Sequence, residues 1–399
     1  MEAVTERFYT FKSIACAVAV LAVAASGVTA GWLFETWQDF PAGERPWSVA
    51  IRDLNGDGIR DLAVASTYSD DISVLVGRGD ATFEDAVAYS VGYYCYPSFL
   101  AVGDLNGDGN DDLVVTVRIG DYVAVLLGNG DGTYQAYVPY DVGVGPYYAA
   151  IVDLDDDGNV DLAVANPESH DVSVLLGNGD GTFQPSVDYY TSANPLSIGV
   201  SDYDEDGNLD LAVACFASDR VTVLAGNGDG TFWLFANITT GDMPRSLAVG
   251  DLDEDGHDDL AVCNHGDDDV SVFLGNGDGT FQPRAECGAG VGPVFVVIDD
   301  LNADGHDDLT VANLESDDVS ILLGNGDGTF QVSIEYSAGD QSRNVAIGEP
   351  RRGRRQGPRG VQRLGVRCVG AARTGRRVVR GVCGVRHGRL GDVRGDRGC

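Results

Sequence analysis

"DLDEDGHDDLAV", residues 251–262, places acidic side chains on alternate positions of a glycine-containing loop and then runs into an apolar stretch. The pattern is not isolated. It recurs as "DLNGDGIRDLAV" from Asp53, "DLNGDGNDDLVV" from Asp104, "DLDDDGNVDLAV" from Asp153, "DYDEDGNLDLAV" from Asp202 and "DLNADGHDDLTV" from Asp300. The first step is 51 residues and the next four are 49. A second motif keeps the same step: "GRGDATF" from Gly77, "GNGDGTY" from Gly128, then "GNGDGTF" from Gly177, Gly226, Gly275 and Gly324. Repeats of this length imply an architecture of stacked or radial units.

Within each unit, four short runs rich in Val, Leu, Ile and aromatics are separated by Gly, Asn and Asp clusters. In the fifth unit they are "RSLAVGD", "DLAVCN", "VSVFLG" and "TFQPRAEC". Such runs are strands and such clusters are turns. One four-stranded sheet cannot bury both its faces, whereas sheets arranged radially cover one another. The fold class is therefore predicted as all-β: a β-propeller of four-stranded antiparallel blades, six complete between about residues 47 and 341, with an incomplete seventh. A parallel β-helix is the rival, but its coils are much shorter than this unit. "FETWQDFPAGERPWS" from Phe34 repeats the spacing of "FQPSVDYYTSANPLS" from Phe183. The chain thus opens with a lone fourth strand, placed to stand beside a first strand "SRNVAIG" and close the ring.

The acidic loops carry the clearest chemistry. Oxygen ligands at loop positions 1, 3, 5 and 9, with a backbone carbonyl at position 7, converge as Ca²⁺ requires. The predicted ligand sets are Asp53, Asn55, Asp57, Ile59 and Asp61; Asp104, Asn106, Asp108, Asn110 and Asp112; and Asp153, Asp155, Asp157, Asn159 and Asp161. The remaining sets are Asp202, Asp204, Asp206, Asn208 and Asp210; Asp251, Asp253, Asp255, His257 and Asp259; and Asp300, Asn302, Asp304, His306 and Asp308. His257 and His306 are expected to give only their carbonyls, which leaves zinc little support. A helix-borne Glu at position 12 would mark an EF-hand; Val262 stands there instead, inside a strand pattern. Six Ca²⁺ ions would set twelve positive charges against the 21 ligand carboxylates of the loops, which otherwise repel one another. The "GNGDGTF" stretch reads as a hairpin turn, with glycines at positive φ.

Charge is divided along the chain. Residues 1–350 hold 60 of the 62 acidic groups and 11 of the 26 basic ones, a net charge near −49. A field of that sign disfavours nucleic acid and anionic membranes and attracts cations. At the start, Lys12 precedes an apolar run from Ile14 to Ala25, and Val28-Thr29-Ala30 offers a cleavage site before Gly31. The run is short for a membrane span. Residues 1–30 are thus predicted to be a removed export signal, with 31–349 the repeat domain of a secreted or cell-surface protein that spans no membrane. Cys95, Cys215, Cys263 and Cys287 lack metal-type spacing, and Cys215 and Cys263, in predicted core strands, are expected as buried free thiols.

With "DxDxDGxxDLAV" alternating with "SVLLGNGDGTFQ" across residues 34–348, the chain resembles the FG-GAP (VCBS-type) repeat proteins, which include the calcium-loaded propeller of integrin α chains and many secreted bacterial proteins. The resemblance implies Ca²⁺ at the matching loop positions and an adhesive or carbohydrate-binding role. Of the Phe-Gly and Gly-Ala-Pro elements, Gly145-Pro146 and Gly292-Pro293 are the nearest remnants.

In an antiparallel blade the first and third turns share a face, which groups the metal loops with the glycine hairpins. The opposite face carries the second turns and the blade-to-blade links, including "GYYCYP" and "GPYY", and these differ most between copies. Variable loops on a rigid scaffold are where recognition resides. Trp47, Tyr93, Tyr94, Tyr96, Tyr147, Tyr148 and Phe295 could stack on sugar rings there or plug the blade junctions. The predicted function is a calcium-binding propeller that binds extracellular glycans or proteins without catalysing a reaction. The alternatives are a lyase-like polysaccharide enzyme, for which His170 and His265 are the available loop histidines, and a structural spacer.

Residues 350–399 break every pattern: they hold 15 arginines and only Asp392 and Asp396 as acids. A seventh loop should open at position 349. Shifting the reading frame by one base permits "LDGDG", one undetermined residue and "KDLAV" over residues 350–361, and "LLG" followed after one residue by "GDGSF" over 371–380. The tail reads most simply as the seventh repeat translated out of frame, with a basic nucleic-acid or polyanion-binding tail as the alternative, and no order is expected in it. Sequencing the gene around codon 349 tests this. Deleting one base is expected to restore "GDLDGDG" and the continuing repeat; nucleotides that cannot encode that string in the neighbouring frame would overturn the reading.

Overall fold

The computed structural model describes residues 15–18, 38–80, 82–302, 304–338 and 342–346. Six sheets of four antiparallel strands follow one another along the chain, each strand pairing with the next in sequence. In the fifth blade the strands are Pro244–Gly250, Asp259–Asn264, Asp269–Phe273 and Ala285–Gly288. Their register sets Val249 opposite Leu260 and Leu260 opposite Phe273, so each sheet face carries a row of apolar cross-strand neighbours. First strands of consecutive blades touch, which puts them innermost around the axis. The first blade begins at Pro46 and the sixth ends at Ser337, as the repeat spacing predicts.

Second strands such as Asp161–Asn166 and Asp259–Asn264 are buried along their whole length. They lie mid-sheet, with a neighbouring blade over each face, which is why an unbroken "DLAV" run suits them better than strict alternation. The fourth strands lie at the rim and are largely exposed. The core is accordingly partitioned between blades. Ala63 and Ile72 of the first blade pack with Leu100, Leu113 and Leu126 of the second, and equivalent clusters recur around the ring. Between the sixth blade and the first, Val345 packs with Val294 and Ile321, while Ala346 and Phe40 pack with Val49 and Leu62. Cys215 and Cys263 are buried free thiols, as expected.

One expectation meets the structure differently. The N-terminal strand anticipated from Phe34 is described at Gln38–Pro41, where it pairs with Ala15–Val18 of the stretch read as an export signal. Removal of residues 1–30 would take that partner away. The remainder of that stretch and the tail 350–399 lie outside the described residues.

The second turns prove to be clamps. Asp70, Asp121, His170, Asp219 and Asp268 all hold left-handed backbone at the same repeat position. Each accepts an amide from the link into the next blade: Asp70 from Tyr94 and Cys95, Asp121 from Gly145, His170 Nδ1 from Asn194, Asp219 from Met243 and Asp268 from Gly292, at 2.7–3.1 Å. Sequence position alone could not reveal this, because each partner lies 24 or 25 residues away.

On the other face, the first glycine of each hairpin packs against a metal-loop carbonyl. A Cβ on Gly177 would lie 2.1 Å from the Val160 oxygen, and one on Gly128 would lie 2.3 Å from that of Asp111. Backbone cannot yield there as a flexible side chain could. Gly177→Ala is expected to cost about 2–3 kcal/mol of unfolding free energy, whereas Gly288→Ala, with nothing within 4 Å, should be nearly neutral in the same denaturant titration.

Candidate metal loops and the axial recess

Each acidic loop joins a first strand to a second strand and lies beside the glycine hairpin of its own blade. Position 6 is left-handed throughout, from Gly58 (φ 82°) to Gly305 (φ 99°), so glycine is needed for the turn. Position 4 is left-handed as well, at Gly56, Gly107, Asp156, Glu205 and Glu254, a requirement the spacing of ligands did not disclose. The position-7 side chain lies over the second glycine of the hairpin: a Cβ on Gly179 would meet Asn159 Oδ1 at 2.1 Å. It therefore faces away from the loop interior.

The position-9 aspartate does more than the ligand role assigned to it. Asp61, Asp112, Asp161, Asp210, Asp259 and Asp308 open the second strands and are at most 2% exposed. The Leu154 amide donates to one oxygen of Asp161 and the Gly177 amide to the other, both at 2.7 Å. The same pair of bonds holds Asp61, Asp112, Asp210, Asp259 and Asp308 at 2.7–3.0 Å. Each carboxylate thus latches its acidic loop to the neighbouring hairpin. Burial pushes Asp112, Asp161, Asp210, Asp259 and Asp308 up to about 6 against the lowering effect of these bonds, and the loop aspartates add to the rise. Asp61 is raised for the same reasons.

The six loops fall into two kinds. In blades 3, 4 and 5, three carboxylates offer oxygens within 4.8 Å of one another: Asp153, Asp155 and Asp161; Asp202, Asp204 and Asp206; Asp251, Asp253 and Asp255. In each, a buried Oδ1 of the first aspartate has no hydrogen-bond partner. An oxygen in that state is costly unless a cation meets it. Blades 1, 2 and 6 carry asparagine at position 3. There Asn55, Asn106 and Asn302 donate to Asp57, Asp108 and Asp304 at 2.9–3.1 Å. The first aspartate accepts the position-5 amide at 3.0–3.2 Å. These loops satisfy themselves.

His257 and His306 turn toward the preceding blade, where their Nδ1 atoms lie 2.6 and 2.7 Å from Glu205 and Glu254. Both imidazoles are raised by those carboxylates. The hairpin aspartates are committed locally: the Thr133 amide and hydroxyl donate to Asp131 at 3.0 and 2.5 Å, in line with a turn role.

The opposite face centres on the axis. Trp47, Ser98, Tyr147, Leu196, Arg245, Val294 and Arg343 occupy one repeat position, 49 residues apart after a first step of 51. In five first strands the ladder slips at this residue, between Pro46 and Ser48, Pro97 and Phe99, Pro195 and Ser197, Pro244 and Ser246, and Pro293 and Phe295. A bulge re-aims the extra side chain, and all seven residues line one shallow, open recess. Tyr148 and Phe295 also line it, with Tyr148 tilted on Phe99 at 4.3 Å. Tyr93, Tyr94 and Tyr96 do not join them. Tyr93 and Tyr94 project into solvent beside each other, and Tyr96 packs edge-on against Tyr68. Sequence reading missed Arg245 and Arg343, whose signal was the residue after the repeated proline and its equivalent in the seventh register. The two loop histidines are not brought together with them: His170 clamps a link, and half-buried His265 lies 3.6 Å from Glu315, with burial lowering its basicity.

A family model described as an FG-GAP-like repeat matches residues 53–115, 104–164, 153–213, 202–262 and 251–311. None of the curated proteins matches the chain. Among solved structures, an Agrocybe aegerita lectin that recognises non-reducing terminal N-acetylglucosamine is 20% identical, with a TM-score of 0.56 over 80% of this chain and 89% of that one. A Lactobacillus plantarum protein is 16% identical, with a TM-score of 0.56 over 81% and 95% of the two chains. A Pseudomonas aeruginosa periplasmic gluconolactonase is 18% identical, with a TM-score of 0.51 over 65% and 75%. At these identities the likeness is one of fold.

The buried aspartates set a pH dependence. Their folded pKa values lie above the unfolded value of about 3.9, so the metal-free fold loses stability as pH rises from about 4 to about 6. A cation that binds the ionised loops opposes this loss. In excess chelator the melting temperature is expected to be higher at pH 5 than at pH 7.5, with the order reversed in millimolar Ca²⁺. Scanning calorimetry at the two pH values checks both signs.

Proposed function

Since the chain belongs to the FG-GAP-like repeat family, we propose that it is a calcium-loaded β-propeller that serves outside the cell as a binding module for glycans. The observation that carries the binding role is the axial recess, where Trp47, Tyr147, Tyr148 and Phe295 meet on the face opposite the metal loops. Aromatic faces and small polar groups in a concave site suit a sugar ring. The fold likeness to the lectin is consistent with this role. The reading is of a binder and not a catalyst: His170 and His265 are engaged in blade contacts.

Calcium holds the scaffold. The partnerless buried oxygens of Asp153, Asp202 and Asp251 call for a hard cation, and carboxylate ligands on a turn suit Ca²⁺ better than Mg²⁺ with its retained water. Dissociation constants of roughly 10⁻⁴–10⁻³ M are expected, as in other extracellular modules. Bound ions stabilise the fold by linkage.

The inequivalence of the loops makes this testable. Three ions are expected to bind ahead of the rest, at blades 3, 4 and 5. Asp153→Ala should remove one of them in a calorimetric titration, while Asp53→Ala should leave that first class intact; six equal sites would contradict the division. For ligand binding, a glycan array probed with the calcium-loaded chain should give defined hits, weakened about tenfold by Trp47→Ala, equivalent to ~1.4 kcal/mol. An empty array would favour the spacer.

A further inference from the structure

Resting on that binding role, we propose that the axial recess recognises a uronate, a sugar whose carboxylate is held by Arg245 and Arg343 while its ring lies on Trp47 and Tyr147. The charge distribution singles this place out. Residues 31–350 contain nine arginines in a strongly acidic chain, and three of them, Arg45, Arg245 and Arg343, meet at the axial mouth. Of the other six, three pair with acids: Arg52 with Asp111 at 3.1 Å, Arg118 with Glu168 at 3.2 Å and Arg284 with Glu286 at 2.9 Å. Among the described residues no Asp or Glu lines the recess.

The three guanidinium groups are positioned by aromatic rings. Arg343 lies 4.2 Å and Arg45 5.7 Å from the Trp47 ring centre, and Arg245 lies 5.2 Å from that of Phe216. Burial lowers Arg343 below its usual range, and the charges of Arg45 and Arg245 act in the same direction, against a contribution from Tyr147. Buried Arg245 Nε has no acceptor, and neither Ser246 Oγ nor Asn344 Oδ1 has a partner. A carboxylate answers this set: it offers two acceptors to planar guanidinium forks and relieves the repulsion among them. The hydroxyls of a sugar ring can engage the serine and asparagine, and its faces the aromatics. The acidic body repels long polyanions, so the recess suits a terminal acidic sugar.

Position supports selectivity. All seven axial side chains occupy one repeat slot, yet they are Trp, Ser, Tyr, Leu, Arg, Val and Arg. The metal loops and second strands repeat almost verbatim, so the scaffold holds the backbone fixed while this slot changes its chemistry. A ring needed only to plug the channel has no use for cations facing one another.

Calorimetry with the full calcium-loaded chain tests the inference, with digalacturonate as the probe and its methyl ester as the neutral control. The acid is expected to bind at least tenfold more tightly than the ester. Arg245→Gln and Arg343→Gln should each erase that difference with unchanged melting temperatures, while Arg118→Ala, away from the recess, should keep it. Equal binding of acid and ester would overturn the uronate assignment but leave glycan binding standing; no binding here together with an empty glycan array would remove both. Acetate, inorganic phosphate or a glutamate-rich peptide displacing the sugar at equal or lower concentration would also overturn it, because the ring would then contribute nothing.

Discussion

The buried aspartate at the start of each second strand is the constraint on which the rest depends. Its two oxygens take amides from two turns at once: the acidic loop seven residues earlier and the glycine hairpin sixteen residues later. A hydrogen bond to a charged group contributes about 1.5–3 kcal/mol net, and these bonds repeat in every blade. Burying the carboxylate opposes them, which is why its pKa rises despite two donors. The latch keeps the two turns in register, and the close packing of Gly177 on the Val160 carbonyl follows from that registration. A cation in the acidic loop would favour the ionised form that the latch needs, so metal binding and turn geometry are coupled through one side chain.

The hydrophobic cores lie between sheets, so no blade is complete without its neighbours. Leucines 62, 113, 162, 211, 260 and 309 are at most 1% exposed because adjacent blades enclose them. Clamps from the second turns add a polar tie on the opposite face, and His170 serves in the same position as the aspartates because Nδ1 can accept an amide as a carboxylate can. At the meeting of the first and sixth blades the contacts among the described residues are of another origin. They come from Phe40 and from Val345 and Ala346, whose stretch, residues 342–346, forms no strand although one was anticipated there. Val345 and Ala346 are followed within a few residues by the departure from the repeat at Glu349.

What was legible in the sequence was whatever recurs at short range. The strand order, the blade count and the acidic loops followed from the 49-residue step and from alternating ligands within nine residues. The same motifs also gave both turn types and the face they share. Less legible was the distinction between Asp155 and Asn55, because Asn and Asp are both competent oxygen donors on a turn. Only the geometry shows that the Asn55 amide turns to Asp57 and closes the loop on itself. The role of Asp161 as a latch was hidden for another reason: its partner Gly177 belongs to a different motif. Arg245 and Arg343 were hidden most thoroughly, since nothing within either blade indicates that side chains 98 residues apart share a recess.

The two faces divide the labour of this fold. On the metal side, nearly every residue is fixed by a backbone contact: a Cβ has no room on the first hairpin glycine, and the latch aspartate has both oxygens occupied. Variation there breaks the blade. At the axial mouth the bulged residue leaves the ladder, and its side chain answers to no cross-strand partner. Substitution at that slot alters what the recess presents without disturbing the sheets. A repeat protein can therefore acquire recognition at the point where radial symmetry brings single side chains from every blade together, as it brings Arg245 and Arg343 to one recess.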